Sequence, residues 1–269
     1  TTDMLCEGVH FLRAAASAAE IGYKALAVNL SDVAAMGARP VASMLSIAVP
    51  PDCGRDWACG FLDGYRALSQ QHDVQLIGGD TVGSKHGITI NVVAIGRIRN
   101  ECIKRRGSAQ ENDVIAVNGF LGDSAAGLAD VLAGRYDTPL ARLHHHPLPQ
   151  IEEGIWLGAR PEVHAMMDIS DGLYSDLPHI LELSDTGAAV SLDKIPTRQT
   201  VRQAVCGGED YKLLFTAEAE CFESLSADYE SRFGSPLYPI GRITSGTGKL
   251  RWTEGDKEVR PDFVSFKHF

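Results

Sequence analysis

The sequence predicts an α/β fold of the α+β kind in two domains. The first is a β-rich N-terminal domain whose sheet is covered by helices, and the second is a C-terminal α/β domain. Three observations carry this. Strand and helix periodicities follow one another along all 269 residues. A polar stretch over residues 99–112 separates two such series, which divides the chain at 1–108 and 109–269. Glycine and carboxylate then recur together beside apolar runs, in Leu76-Ile77-Gly78-Gly79-Asp80-Thr81, in Met167-Asp168-Ile169-Ser170-Asp171-Gly172 and in Gly207-Gly208-Glu209-Asp210. Three such phrases suggest a magnesium-phosphate site, where one alone would be a structural turn.

Residues 3–11 read as a strand, opened by Thr1, Thr2 and Asp3, whose hydroxyls and carboxylate suit either a hard cation or a polar strand start. His10, beside Phe11, fits a satisfied strand histidine. Residues 18–36 are helical, stopped by Gly37 and Pro40. Within them Asn29 and Asp32, three apart, share a face. Apolar neighbours suggest that this face is buried, and a cation would be the missing partner of its carboxylate. The alternative is an Asp facing solvent. A strand over 41–49, a turn at Pro50-Pro51-Asp52 and an amphipathic helix over 56–70 follow. The apolar run 74–77 is then expected to end in a Gly-Gly turn that presents Asp80 at the mouth of the sheet. Residues 88–92 alternate apolar with polar, the mark of a strand with one face on a core.

The polar stretch reads as a solvated charge run, from which Arg105 and Arg106 could reach phosphates. Beyond it we expect strands over 113–118, 163–169, 188–192, 211–215, 237–243 and 250–253, with helices over 123–133, 150–159, 173–183 and 217–232. Ser170 or Asp171 would cap the 173–183 helix, whose N-terminus would welcome phosphate. His144-His145-His146-Pro147 reads as an exposed loop, because adjacent side chains diverge.

Composition narrows the function. Hydrophobic residues make up 44% of the chain, enough for real cores, yet no apolar run approaches the ~20 residues of a membrane span. The six cysteines have no C-x-x-C pairing, as expected for reduced thiols in a cytoplasmic protein. A net charge of −10 argues against nucleic acid but not against nucleotides, which carboxylates can hold through divalent cations. There is no G-x-x-x-x-G-K-[ST], so ATP would be bound through aspartates and Mg²⁺.

With these residues in view, the chain resembles the thiamine-monophosphate kinase family of the aminoimidazole ribonucleotide synthetase-like superfamily. The likeness runs nearly end to end. It rests on Thr1-Thr2-Asp3 through Gly8-Val9-His10-Phe11, on Asn29-Leu30-Ser31-Asp32-Val33-Ala34-Ala35-Met36-Gly37-Ala38, on the three acidic phrases, and on the closing His268-Phe269. The resemblance implies transfer of the γ-phosphoryl of ATP to thiamine phosphate with several Mg²⁺ ions, in a homodimer built through the first domain's sheet. It implies Thr1, Thr2, Asp3, Asp32, Asp80, Asp168 and Asp171 as metal ligands, with Asp3, Asp32, Asp80 and Asp171 catalytic. Gly79, Asp80, Arg106 and Ser170 would contact ATP, and His10, Glu209 and Phe266 would contact thiamine phosphate. The family's N-terminal glycine- and Asp-Asp-containing motif has no counterpart before Thr1, and the missing methionine leads us to expect that an opening segment has been lost. The Arg105-Arg106-Gly107-Ser108 order also departs from the family's Arg-Ser-Gly. Two alternatives stay open: another ATP-cleaving enzyme of the superfamily, or a truncated nucleotide-binding module.

Overall fold

A computed structural model describes residues 1–264, so Phe266, His268 and Phe269 lie outside the described residues. The first part of the chain runs β1 (Thr2–Cys6), α1 (Ala18–Ala35), β2 (Arg39–Val49), α2 (Gly54–Gln71), β3 (Gln75–Gly83) and β4 (Thr89–Arg97). Its four strands form one sheet in the order β1-β4-β2-β3. The second part runs β5 (Val114–Val117), α3 (Asp123–Leu132), α4 (Pro139–His145), α5 (Ile151–Gly158), β6 (Val163–Asp168), α6 (Leu173–Leu183) and β7 (Gly187–Ser191). It continues with α7 (Val201–Cys206), β8 (Leu213–Ala217), α8 (Phe222–Phe233), β9 (Tyr238–Thr244), β10 (Leu250–Glu254) and β11 (Lys257–Val259). Here the sheet has seven strands, β11-β10-β7-β9-β5-β8-β6, antiparallel throughout except where β10 meets β7. The α+β class with helix-covered sheets is thus as expected.

α1 sits at the centre. Ser17 and Glu20 form a reciprocal capping box at its start, satisfying backbone donors that a helix leaves open. Most of its residues are buried, because the helix packs on α2 and β4 on one side and on α5 and β6 on the other. Gly64 of α2 lets the α1–α2 approach close: a Cβ there would stand 1.9 Å from the Ala19 carbonyl oxygen.

The structure corrects several expectations. The Gly-Gly-Asp phrase is no turn. It lies inside β3, where Leu45 pairs with Gly79 and Ser46 with Asp80. Gly79 is required because a Cβ at its φ of 149° would fall 1.7 Å from the Leu45 carbonyl oxygen. The triple-histidine loop is also corrected, since His144 and His145 end α4 and are buried. The polar stretch is not uniformly solvated: Lys104 is buried, its Nζ donating to the carbonyls of Arg160 (2.7 Å) and Val163 (2.6 Å). Neither Ser170 nor Asp171 caps α6. Gly172 holds the N-cap position, and Asp176 Oδ2 accepts the backbone N–H groups of Ser170, Asp171 and Gly172 at 3.0, 3.1 and 3.0 Å. The amides expected to receive phosphate are therefore already occupied by a carboxylate from the first turn of the same helix. α4, α7 and β11 were not anticipated.

Candidate active site

A cleft of about 380 Å³ opens between β1, α1, the end of β6 and the Gly207–Tyr211 loop. Asp3, Asp32, Asp168 and Asp171 all line it. Strand alternation sends Asp3 to the helix-covered face, level with buried Val92 of β4. Its N–H donates to Asn29 Oδ1 at 2.9 Å, and Asn29 Nδ2 donates back to the Ala25 carbonyl, so that fully buried amide ties β1 to α1. Asn29 is thus a strut, and Asp32, one turn further on, faces the cleft. Thr1 donates its hydroxyl to Asp32.

Asp168 is buried and accepts a hydrogen bond from Ser31 Oγ at 2.5 Å. Burial, and then repulsion from Asp32, push its carboxyl up to about 7 despite that bond. Burial followed by Asp32 and Asp171 likewise raises Asp3 to about 6. Asp176, behind them, is raised to about 8 by burial and then by Asp171 and Asp168. Among the described residues none of Asp3, Asp32, Asp168 and Asp171 is ion-paired with Lys or Arg. Among the described residues, negative charge therefore accumulates here without an ion-paired Lys or Arg to balance it.

The other wall of the cleft carries Glu209, beside His10 and Ser170. Glu209 and Tyr211 both adopt left-handed backbone, at φ 64° and 48°, which costs energy in a residue other than glycine. Their N–H groups donate to the carbonyls of Ser170 (2.7 Å) and Ile169 (2.9 Å), fastening this loop to the acidic one. His10 Nδ1 accepts the Cys6 N–H at 3.0 Å, holding its ring at the cleft.

Other predicted residues lie elsewhere. Arg106 lines a second cavity of about 510 Å³ with Arg105, Thr1, Asp32, Met36 and Leu183. The Thr2 hydroxyl turns to the opposite face of β1, bonding the Val92 carbonyl at 2.9 Å and Asn91 at 3.1 Å. Gly79 and Asp80 line neither cavity, and Asp80 shares its register with Ser46 and Asn91 on the uncovered face of the sheet. Sequence reasoning missed Lys24, Ser31, His144 and Asp176. Lys24 carried a signal, as a lone cation within the apolar run Ile21-Gly22-Tyr23-Lys24-Ala25-Leu26. Asp176 carried none, because acidic residues are ordinary in a first helical turn.

Both halves of the chain match known families: "AIR synthase related protein, N-terminal domain" over residues 1–98 and "AIR synthase related protein, C-terminal domain" over residues 110–253. The chain is therefore an AIR synthase-related protein of two such domains. Among curated proteins, thiamine-monophosphate kinase of Haemophilus influenzae is 37% identical over 100% of this chain and 85% of its own length. That of Escherichia coli K12 is 36% identical over 100% and 86%. A solved structure named "AaThiL complexed with AMPPCP and TMP" superposes with a TM-score of 0.86 at 30% identity, covering 100% of this chain and 86% of that one. The thiamine-monophosphate kinase of Stenotrophomonas maltophilia K279a gives 0.83 at 39% identity, over 93% and 84%. The chain belongs to the thiamine-monophosphate kinase family.

Proposed function

We propose that this enzyme transfers the γ-phosphoryl of ATP directly to thiamine phosphate, forming thiamine diphosphate with the help of Mg²⁺. The observation that carries the reading is a single cleft with an unbalanced carboxylate cluster on one wall and Glu209 on the other. A relative of the same fold is described with AMPPCP, an ATP analogue, and TMP, which supports those substrate classes.

The donor set fits magnesium. It is all hard oxygen, and burial, followed by repulsion from neighbouring carboxylates, raises Asp3 and Asp168, a burden that a divalent cation relieves. Among the described residues no three His, Cys, Asp or Glu side chains converge closely enough to hold an ion alone, so phosphate and water oxygens would complete its shell. When bound, the ions would neutralise and align the two phosphate chains. The acceptor is a phosphate oxygen already ionised at neutral pH, so the protein need supply no strong base. Asp3, Asp32, Asp168 and Asp171, with the Thr1 hydroxyl, would hold the cations. Ser170 and Arg106 would face the nucleotide, the latter from the neighbouring cavity. Glu209, His10 and Phe266 would hold the acceptor. The Thr2 side chain leaves the proposed ligand set because its hydroxyl is engaged on the other face.

A homodimer is part of this reading. Met4, Met44, Val82 and Ile95 share the uncovered sheet face by register and are 41–54% exposed, an apolar surface suited to a second copy. Asp80 and Gly79 belong to that sheet, so their proposed contribution would run through the dimer. No helix of the described residues is long and apolar enough to cross a membrane. Six free thiols support a reducing, cytoplasmic setting. The test is chromatographic: ATP and thiamine phosphate incubated with the enzyme should yield thiamine diphosphate. Release of ADP and inorganic phosphate without that product would contradict the assignment.

A further inference from the structure

Lys24 is the least expected residue of α1. It is 2% exposed, yet its Nζ donates to Glu209 Oε2 at 3.0 Å and to the His10 carbonyl at 3.2 Å. His144 of α4 reaches the same carboxylate oxygen, with Nδ1 3.3 Å from Oε2 and 2.9 Å from Ser124 Oγ. Burial, and then the charge of Lys24, push the His144 imidazole down to about 3, so it stands neutral and can share an Nδ1 proton with Glu209. Burial alone would raise Glu209, but its neighbours, the Lys24 ammonium first among them, hold the carboxyl below its ordinary value. Two helices distant in sequence, α1 through Lys24 and α4 through His144, thus converge on one carboxylate oxygen. Among the described residues the other oxygen, Oε1, accepts no hydrogen bond, although Glu209 lines the cleft.

We propose that Lys24 and His144 are positioning residues that keep Glu209 ionised, with Oε2 engaged and Oε1 offered to the ligand. This makes that wall of the cleft selective for an uncharged ring bearing an N–H donor. The proposal rests on the acceptor reading above. The charges of Lys24 and Glu209 cancel and His144 is neutral, so a cationic ring gains little net attraction there. A neutral amino group, in contrast, gains a hydrogen bond to an ionised acceptor, the stronger kind. A ring lacking that donor leaves Oε1 desolvated and unpaired, and a polar site rejects such an analogue strongly.

The test compares Glu209→Gln with the double variant Lys24→Met/Glu209→Gln, in which the buried pair becomes two neutral groups of similar size and folding is preserved. Calorimetry with thiamine phosphate, and with an analogue whose pyrimidine amino group is replaced by hydrogen, gives four affinities beside those of the parent. Glu209→Gln should weaken thiamine phosphate about tenfold, as a hydrogen bond to an ionised acceptor becomes one to a neutral amide oxygen. The double variant should bind within a few-fold of Glu209→Gln, because Lys24 reaches the ligand through Glu209 and its other bond is to the His10 backbone carbonyl. The parent should prefer thiamine phosphate over the analogue about tenfold or more, and both variants should lose most of that preference. A double variant weaker still by a further factor of about ten, or one that keeps the preference, would overturn this proposal alone. A parent that binds nucleotide but not thiamine phosphate would overturn the acceptor reading, and this proposal with it.

Discussion

The two sheets bury their strands to opposite extents. In the seven-stranded sheet β5 and β8 are buried at every position. Alternate residues feed two separate cores: Ile115, Val117 and Leu214 on the α6 side, Val114, Ala116 and Phe215 on the α8 side. In the four-stranded sheet only the face toward α1 and α2 is covered, and β3 is exposed at all nine positions. Yet β3 carries Leu76, Ile77 and Val82, 45–57% exposed. Apolar composition alike, burial unlike, the two sheets show that a strand's residues indicate what they must be buried against, not that this chain provides it. The first sheet is complete within the chain's second half. The other is finished, in our reading, by a second copy.

The widest separation expected is in stability. Phe215→Ala empties a fully buried position between helix and sheet and should cost about 3–5 kcal/mol. Leu76→Ala, on the open strand, should cost well under about 1 kcal/mol in dilute, monomeric protein. Urea titrations of both variants check this, and equal losses would abolish the contrast.

Next in size is Asp80→Asn. Asp80 lies mid-strand on the exposed sheet and the glycines that shape β3 remain, so the melting temperature should barely move. As a charge serving the transition state, its loss should lower kcat on the order of 10²-fold. Normal turnover would leave Asp80 as mere edge-strand polarity, and an unfolded variant would make it structural.

These contrasts also mark how far the sequence was legible. The alternation over residues 88–92 foretold β4, whose Ile90 and Val92 face the core while their neighbours do not. The apolar surroundings of Asn29 and Asp32 foretold that α1 brings polar groups to a buried face. Where the reading went wrong, a tertiary contact outweighed a local rule. Two glycines after an apolar run ordinarily mark a turn, but here Gly79 is needed because β2 passes too close for a side chain. Three adjacent histidines resemble a loop until α3 packs on α4 and buries two of them. Ser170 and Asp171 have cap chemistry, but Asp176 folds back and takes the amides first. Asp3, Asp32, Asp168, Asp171 and Glu209 come together in one cleft, whereas the pairing of Lys24 and His144 with Glu209 needed the fold to be seen, the apolar run around Lys24 being its one hint.

The smallest expected effect concerns the chain's end. If Phe266 stacks on the acceptor ring, Phe266→Ala removes roughly 0.5–1.5 kcal/mol beyond buried area, and KM for thiamine phosphate should rise several-fold while KM for ATP stays put. A fall in melting temperature with both KM values unmoved would assign Phe266 to packing instead.

The central claim is that unbalanced carboxylates bind the nucleotide through magnesium, and one measurement addresses it directly. AMPPCP is titrated into the enzyme calorimetrically, once with millimolar Mg²⁺ and once in excess EDTA. The account predicts tight binding in the first titration and a loss of at least about tenfold in the second, since repulsion between the phosphates and Asp3, Asp32, Asp168 and Asp171 would then be unrelieved. Equal affinity in the two titrations would contradict it.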